Sequence, residues 1–312
     1  MGDTTMVLDG GMSNALEDRG HDLSDRLWTA RLLRTAPQEI AAVHRSYFAA
    51  GAVVATAASY QASVPGFVEA GVEPEEAELL VGSAVRIARA ARDEVAGDGV
   101  RRQVAASVGP YGAVLADGSE YRGRYGVSRA RLRDFHGRRL ETLAAAGPDL
   151  LAVETIPDAE EAEVLAGLLD EVGLPAWFCF SVDGLRTRAG QRLRDAFAVA
   201  CSSAAVRAVG VNCCAPADVL PALRVAREVT DRPLVAYPNS GEGWNPARRR
   251  WTGESAYDVT LAAAWVEAGA AYVGGCCRVG PAEIRRLADR LRDLTPPEPG
   301  DGAAPPPTAP PR

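Results

Sequence analysis

Eight short apolar segments recur along this chain, and stretches with helical periodicity or long loops separate them. The apolar segments span residues 6–9, 52–56, 103–108, 150–153, 176–182, 208–212, 233–237 and 270–273. Strands that are apolar on both faces are typical of a parallel sheet covered by helices. Eight such strand–helix units indicate an α/β protein whose single domain is a closed (β/α)8 barrel of the TIM type.

An open, doubly wound sheet is the alternative fold. Such sheets usually have fewer strands and a G-x-G-x-x-G loop after the first strand, and this sequence contains no such motif. We therefore place the barrel in residues 1–294 and expect the Pro- and Ala-rich stretch 295–312 to be a disordered tail.

Helices are expected between the strands. They are predicted near 37–50, 75–95, 128–143, 191–203, 217–229 and 254–268, with a further helix that starts at Asp158. Residues 10–26 are polar and are predicted to form a loop. The stretch 111–127 is rich in Gly and Tyr, and a loop of that length is expected to lie over a site.

The charge of the chain excludes one class of partner. The net charge is -7 and the pI is near 5.2, whereas nucleic-acid binding needs a basic face. All 34 residues counted as Lys or Arg are Arg, so a mechanism through a lysine Schiff base is excluded.

Six cysteines in a chain of 312 residues do not make a disulfide scaffold. The N-terminus lacks a charged flank followed by an apolar core, and no apolar run is long enough to span a bilayer. We therefore expect a cytoplasmic protein with reduced thiols and with neither a membrane nor a nucleic-acid partner.

The strand ends predict where chemistry occurs, because the carboxyl ends of all strands of a (β/α)8 barrel meet at one rim. The residues at these ends are Asp9, Tyr60, Gly109, Glu154, Ser181, Cys213, Tyr237 and Cys276, and Cys277 follows directly. Three thiols and two carboxylates that lie far apart in sequence are thus predicted to converge. Taken alone, either carboxylate is equally well interpreted as a group that caps a helix or ties a loop.

Cys276 and Cys277 are poor partners for a mutual disulfide, because one peptide unit separates their Cα atoms by only about 3.8 Å. Gly274 and Gly275 allow the backbone to turn and bring both sulfurs toward one point. With Cys213 they form a three-thiolate set, which is typical of a zinc site with one open position. Such a site keeps an incoming thiol as its nucleophilic thiolate. A role as small buried hydrophobes accounts for the other cysteines, Cys179, Cys201 and Cys214.

The segments 210–213 (Gly-Val-Asn-Cys) and 274–277 (Gly-Gly-Cys-Cys) resemble those of the homocysteine S-methyltransferase family. The resemblance covers about residues 5–293 and includes the segments 8–11, 58–63, 107–112, 116–121, 154–157 and 237–241. The stretches 117–121 and 239–241 are closer to the S-methylmethionine branch of the family than to the betaine branch.

The resemblance implies a zinc-dependent barrel that transfers a methyl group to L-homocysteine and yields methionine. It implies Cys213, Cys276 and Cys277 as the Zn²⁺ ligands, with Asp9 and Glu154 in contact with the ammonium group of homocysteine. The expected partners are homocysteine and a methyl donor, either S-methylmethionine or S-adenosylmethionine. The protein is expected to be a monomer or a small homo-oligomer.

Two further substrate contacts, Tyr60 and Asn239, are implied by the same resemblance. In betaine-dependent relatives a tyrosine at the place of Tyr60 can fill the open zinc position. Two other functions remain open. One is a methyltransferase that uses betaine as donor or another thiol as acceptor, and the other is a non-catalytic zinc or redox-sensing barrel.

Overall fold

The computed structural model of the protein describes residues 5–245 and 250–294, so the tail predicted over 295–312 lies outside the described residues. Its main sheet contains eight strands: β1 (Met6–Val7), β2 (Val54–Thr56), β3 (Gln103–Val108), β4 (Leu150–Ile156), β5 (Ala176–Phe180), β6 (Val206–Asn212), β7 (Leu234–Tyr237) and β8 (Ala270–Val273). All neighbouring strands in this sheet are parallel.

The sheet closes on itself. Each strand pairs with the next one in sequence from β2 to β8, and β8 pairs with β1. A parallel bridge between Leu8 and Val54 joins the first strand to the second, supported by a hydrogen bond of 2.8 Å from the Val53 amide to the Val7 carbonyl. The prediction of a single (β/α)8 barrel is therefore confirmed.

Helices surround the barrel on its outer face. Those of the described residues are α1 (Met12–Asp18), α2 (Thr29–Thr35), α3 (Pro37–Ala49), α4 (Val64–Glu69), α5 (Pro74–Glu94), α6 (Tyr111–Leu115), α7 (Arg129–Ala145), α8 (Ala159–Val172), α9 (Leu193–Cys201), α10 (Pro216–Arg227), α11 (Leu261–Glu267) and α12 (Pro281–Leu294). Two antiparallel ribbons, Val182–Asp183 with Arg186–Thr187 and Gly243–Asn245 with Arg250–Thr252, extend from the ends of β5 and β7. None of the helices in the described ranges combines the length and the apolar character needed to cross a membrane.

Three predictions of local structure were wrong. The stretch 111–127, predicted as a loop, begins with helix α6. The stretch 10–26 contains helix α1, which buries Ala15 and Leu16 despite its polar composition. Helix α11 starts at Leu261 rather than near 254. The reason is that the Ala256 amide donates to the Ser240 carbonyl at 2.6 Å, which ties this stretch to the loop after β7 instead of to a helical turn.

Side chains fill the barrel interior, so it is a packed core rather than a pore. Alternate residues of each strand point inward, and the inward ones form a separate buried cluster that includes Leu8, Val54, Trp177, Val235 and Tyr237. The indole of Trp177 donates to the Tyr237 hydroxyl at 3.1 Å. This packing leaves the carboxyl ends of the strands as the place where polar groups can gather.

Candidate metal centre

Cys213 follows β6 in an unusual backbone conformation. Its φ is 48°, and Thr155 at the end of β4 has a φ of 60°. Left-handed backbone in β-branched or bulky residues is costly and concentrates at functional sites. Asn212 links the two strand ends, since its Oδ1 accepts from the Thr155 amide at 2.7 Å and its Nδ2 donates to the Thr155 hydroxyl at 2.8 Å. This side chain thereby fixes the direction in which the Cys213 sulfur leaves the strand.

Cys276 and Cys277 follow β8 through two glycines whose role differs from the predicted one. Neither glycine has a φ in the left-handed region. A Cβ at Gly274 would lie 2.5 Å from Leu8 Cβ, and one at Gly275 would lie 2.1 Å from Val279 Cγ1. These positions need glycine because neighbouring chain segments approach so closely. The Cys276 amide then donates to the Pro238 carbonyl at 2.8 Å, which fixes the start of the cysteine pair.

The three sulfur atoms lie together at the rim. Cys213 Sγ is 3.8 Å from Cys277 Sγ, and Cys276 Sγ is 4.0 Å from Cys277 Sγ. All three ligand atoms lie within 4.8 Å of one another. Sulfurs that bind zinc tetrahedrally at about 2.3 Å are separated by roughly 3.8 Å, so the spacing suits a single ion of this kind. Among the described residues, this is the cluster of His, Cys, Asp and Glu side chains suited to a metal.

The protonation of the cluster is uneven. Hydrogen bonds from the thiols of Cys276 and Cys277 lower the pKa of Cys213 well below its usual value, although burial acts in the opposite direction. The same interactions with Cys213 raise the pKa of Cys276 and of Cys277. Cys213 is therefore the thiol that most readily becomes a thiolate, and the arrangement as a whole favours binding of a cation.

Tyr121 belongs to this site, although the sequence analysis did not single it out. Its hydroxyl lies 3.4 Å from Cys213 Sγ, within hydrogen-bonding distance for sulfur. It stands on a 3₁₀ turn, Ser119–Tyr121, in the long loop that follows β3. The prediction that this loop lies over a site agrees with that contact. The only sequence signal was the membership of Tyr121 in the segment 116–121, whose resemblance to the family was noted.

The two predicted carboxylates are buried near the sulfurs with their hydrogen bonds already made. Asp9 accepts from the Thr56 amide at 2.7 Å and from the Thr56 hydroxyl at 3.0 Å. Glu154 accepts from the hydroxyls of Ser107 and Tyr237, the latter at 3.0 Å. Burial raises the pKa of Asp9 to about 8 and the pKa of Glu154 to about 7. Both groups are therefore poised to exchange a proton for a cationic partner near neutral pH.

Tyr60 and Asn239 also lie at the rim. The ring of Tyr60 packs on Gly109, where an added Cβ would lie 2.6 Å from Tyr60 Cε2. The buried Arg139 of α7 holds this loop, since it donates to the carbonyls of Tyr60 and Gly109 at 2.5 and 2.9 Å. Asn239 Oδ1 accepts from the Cys277 amide at 3.2 Å, so in this structure Asn239 supports the cluster.

Ser181 and the other three cysteines lie outside the three-sulfur cluster. Ser181 is buried, and its hydroxyl donates to the Cys213 carbonyl at 3.3 Å. Cys179 and Cys214 are fully buried, as predicted for small hydrophobes, whereas Cys201 is half-buried. His44 and His136 are buried inside helices, away from the strand ends.

Known proteins resemble this chain along most of its length. The family model described as homocysteine S-methyltransferase matches residues 6–291. Homocysteine S-methyltransferase 1 of Zea mays is 43% identical over 307 residues, which is 93% of this chain and 95% of the relative. Selenocysteine Se-methyltransferase of Brassica oleracea var. italica is 42% identical over 305 residues, with 91% and 88% covered.

A solved structure has the same fold. The metallated form of the homocysteine methyltransferase MmuM from Escherichia coli superimposes with a TM-score of 0.83 at 41% identity. The match covers 93% of this chain and 97% of the other. That relative holds a metal, in agreement with a three-sulfur cluster whose spacing suits one.

Proposed function

Because this chain belongs to the homocysteine S-methyltransferase family, we propose that it transfers a methyl group from a sulfonium donor to the thiol of L-homocysteine, giving methionine. S-Methylmethionine is the proposed donor. The spacing of Cys213, Cys276 and Cys277 is the observation that carries the proposal, because three sulfur atoms within 4.8 Å of one another suit a shared metal ion. They lie at the rim that holds the active site in barrels of this type.

Zinc is the ion that this ligand set fits best, since soft thiolates in tetrahedral array favour it. Cys213, Cys276 and Cys277 would hold Zn²⁺ as thiolates, and the ion would supply the means to keep an incoming thiol ionised. The chain contributes the orientation of the sulfurs. Asn212 directs Cys213, Asn239 holds the Cys277 amide, and the Tyr121 hydroxyl reaches Cys213 Sγ.

Asp9 and Glu154 are proposed to bind the ammonium group of homocysteine. Burial raises the pKa of each carboxyl because it disfavours the charged form. An incoming ammonium would restore the charged form by pairing with it. The hydrogen bonds from Thr56, Ser107 and Tyr237 hold both carboxyls in place for that contact.

The transfer needs a dry site more than it needs a strong acid. The electron pair of the acceptor thiolate forms the new S–CH₃ bond, and the pair of the broken bond stays on the donor sulfur, which leaves as a neutral thioether. Cation and anion lose charge together, so exclusion of water favours the transition state. Trp177 and Tyr237, both nearly inaccessible to solvent, close the barrel interior at this place.

The direct test supplies purified protein with homocysteine and, in turn, S-methylmethionine, S-adenosylmethionine and betaine. We expect methionine to form with the highest kcat/KM from S-methylmethionine, and we expect about one zinc per chain. Cys276→Ala should lose both the metal and the activity. Activity that survives in a zinc-free Cys276→Ala protein, or no methionine from any donor, would favour the redox-sensing alternative.

Selenocysteine is a second candidate acceptor, because the Se-methyltransferase relative is nearly as similar to this chain as the homocysteine enzymes are. Homocysteine is longer by one methylene, a difference that binding pockets distinguish by roughly 10- to 200-fold. We expect homocysteine to be preferred when both acceptors compete for limiting S-methylmethionine. Equal or greater Se-methylation would reassign the acceptor.

We also propose that the folded domain is confined to residues 1–294 and works in the cytoplasm as a monomer or a small homo-oligomer. The free cysteines of the described residues support a reducing compartment. Light scattering of the purified protein and of a chain that ends at residue 294 tests the assembly and the domain limit. A shortened chain that fails to fold would move that limit.

A further inference from the structure

Glu120 is a third buried carboxylate beside the cluster, and neither the mechanism above nor the sequence analysis uses it. It precedes Tyr121 on the 3₁₀ turn and is only 8% exposed. Its Oε2 is inaccessible to solvent and has no hydrogen-bond partner among the described residues. It lies close enough to the cluster that the negative charge of Cys213 contributes to a raised pKa of Glu120, after burial itself.

The contrast with Asp9 and Glu154 is informative. Both oxygens of each of those carboxyls accept hydrogen bonds from the protein. A buried carboxylate oxygen without a partner is costly, and such groups persist where a ligand supplies the partner. The basic side chain acting on Glu120 is Arg122, which is 67% exposed and 3.8 Å from Asp117, so it cannot satisfy the buried oxygen.

The cation that fits is supplied by the methyl donor. A sulfonium derived from an amino acid carries two positive groups, the sulfonium and the α-ammonium. A carboxylate against the sulfonium would stabilise the ground state more than the transition state, because the sulfonium charge disappears during transfer. A carboxylate against the α-ammonium stabilises both states equally, so it strengthens binding without slowing the chemical step.

We infer that Glu120 binds the α-ammonium group of the sulfonium donor and thereby selects amino-acid sulfonium donors over donors that lack this group. The inference rests on the proposed function, which supplies the donor class. It assigns separate carboxylates to the two substrates: Asp9 and Glu154 to homocysteine, and Glu120 to the donor. The ammonium would donate to Oε2, the oxygen that has no hydrogen-bond partner among the described residues.

The test compares Glu120→Gln and Glu120→Leu with the wild type and with Glu141→Gln, a control that removes one charge from an exposed position of α7. Steady-state kinetics use S-methylmethionine and its des-amino analogue, 4-(dimethylsulfonio)butanoate. Zinc content and the KM for homocysteine are measured in parallel. We expect both Glu120 variants to raise the KM for S-methylmethionine by roughly 10- to 100-fold, the range for a charged hydrogen bond, with kcat little changed.

The des-amino donor provides the sharper result. The wild type should use it far less well than S-methylmethionine, and the variants should use the two donors about equally, with an unchanged KM for homocysteine. An unchanged donor preference, or a rise confined to the KM for homocysteine, would overturn the inference while leaving the proposed function intact. Calorimetry measures the binding of S-methylmethionine independently of catalysis. If the protein does not methylate homocysteine but binds S-methylmethionine in a way that depends on Glu120, the proposed function is refuted and the role of Glu120 stands.

Discussion

The chain contains two pairs of adjacent cysteines at the same rim, and the fold uses them differently. In the first pair only Cys213 contributes its sulfur to the three-sulfur cluster, while Cys214 is fully buried in the core between sheet and helices. In the second pair both Cys276 and Cys277 contribute theirs, with sulfurs 4.0 Å apart. Adjacency in sequence therefore says little about shared function, because the local backbone decides where each sulfur points.

The two pairs also reach their geometry by different means. Cys213 adopts a left-handed backbone conformation without a glycine, and the side chain of Asn212 holds the strand ends that make it possible. The second pair keeps ordinary φ values but depends on Gly274 and Gly275 to let neighbouring segments approach. The backbone at Cys213 is locally strained, whereas the second pair requires the absence of side chains at positions 274 and 275. Different substitutions should therefore disrupt the two pairs.

The largest expected effect separates the members of the first pair. Cys213→Ala removes a proposed ligand and should lower metal affinity and kcat/KM by more than about 100-fold, the upper end for groups that merely support a ligand. Cys214→Ala should keep full zinc content and lose only about 1 kcal/mol of unfolding free energy, since it removes a buried sulfur from the core. Metal analysis and denaturant unfolding check both. Equal metal loss in the two variants would contradict the comparison.

Gly275→Ala should disrupt the second pair through a steric clash. The added methyl would lie 2.1 Å from Val279 Cγ1, which the packed neighbour cannot accommodate without movement. We expect a loss of about 1–3 kcal/mol in stability and a substoichiometric zinc content. Gly97→Ala is the control, because a Cβ there meets nothing within 4 Å. A fully metallated Gly275→Ala protein would show that the close approach is unimportant.

Asn212→Ala attacks the first pair through its strained strand ends. Without the two hydrogen bonds to Thr155, the Cys213 sulfur loses its fixed direction. Metal affinity should fall by about 10- to 100-fold, as for other groups that orient a ligand. Chelator competition measures this. Thr155→Ser keeps the hydroxyl and should bind metal normally, so an equal loss in that variant would point to general destabilisation instead.

Much of this picture was accessible from sequence, and the limits have physical causes. The eight apolar runs predict the eight strands and hence the barrel. Several of these runs stop at residues such as Asp9, Glu154 or Cys213, and these residues identify the rim. The left-handed φ of Cys213 could not be predicted, because it depends on the hydrogen bond from the Thr155 amide of β4 to the side chain of Asn212. Tyr121 was missed because an isolated 3₁₀ turn leaves no periodic signal. Helix α1 was missed because only one face of it is apolar and it is short.

Tyr121→Phe tests whether the loop after β3 contributes to the first pair. The Tyr121 hydroxyl lies 3.4 Å from Cys213 Sγ, so its removal takes one hydrogen bond from the thiolate form of Cys213. Metal affinity should therefore fall about 10-fold, the value of one hydrogen bond to a charged group. Tyr125→Phe is the matched control, since its hydroxyl donates to Glu161 at 2.9 Å rather than to a sulfur. Equal effects on metal binding would mean that the loop acts only through its packing.

The smallest effect concerns Asp9, whose carbonyl accepts from the Gly275 amide at 3.1 Å and so supports the second pair. The pKa of Asp9 is raised from 3.8 to about 8, so its contribution to stability is present at low pH and is lost as pH rises toward 8. Asp9→Asn can keep both hydrogen bonds to Thr56 but does not ionise, so the variant should not lose stability as the pH rises. Its melting temperature relative to the wild type should increase by about 2–4 °C between pH 5 and pH 8.5.

Homocysteine binding to Asp9→Asn should weaken in the same protein, because the amide carries no charge for the ammonium group. A variant that melts in parallel with the wild type at every pH would contradict the role of burial at Asp9. Calorimetry with homocysteine alone separates the binding effect from the stability effect.

X-ray absorption at the zinc edge examines the cluster most directly. For the wild type and for Cys214→Ala we predict three sulfur neighbours at about 2.3 Å and one lighter ligand, with a fourth sulfur replacing it when homocysteine is added. A wild-type centre with two or fewer sulfur ligands, or one that changes when Cys214 is replaced, would contradict the assignment of Cys213, Cys276 and Cys277 as a shared metal site.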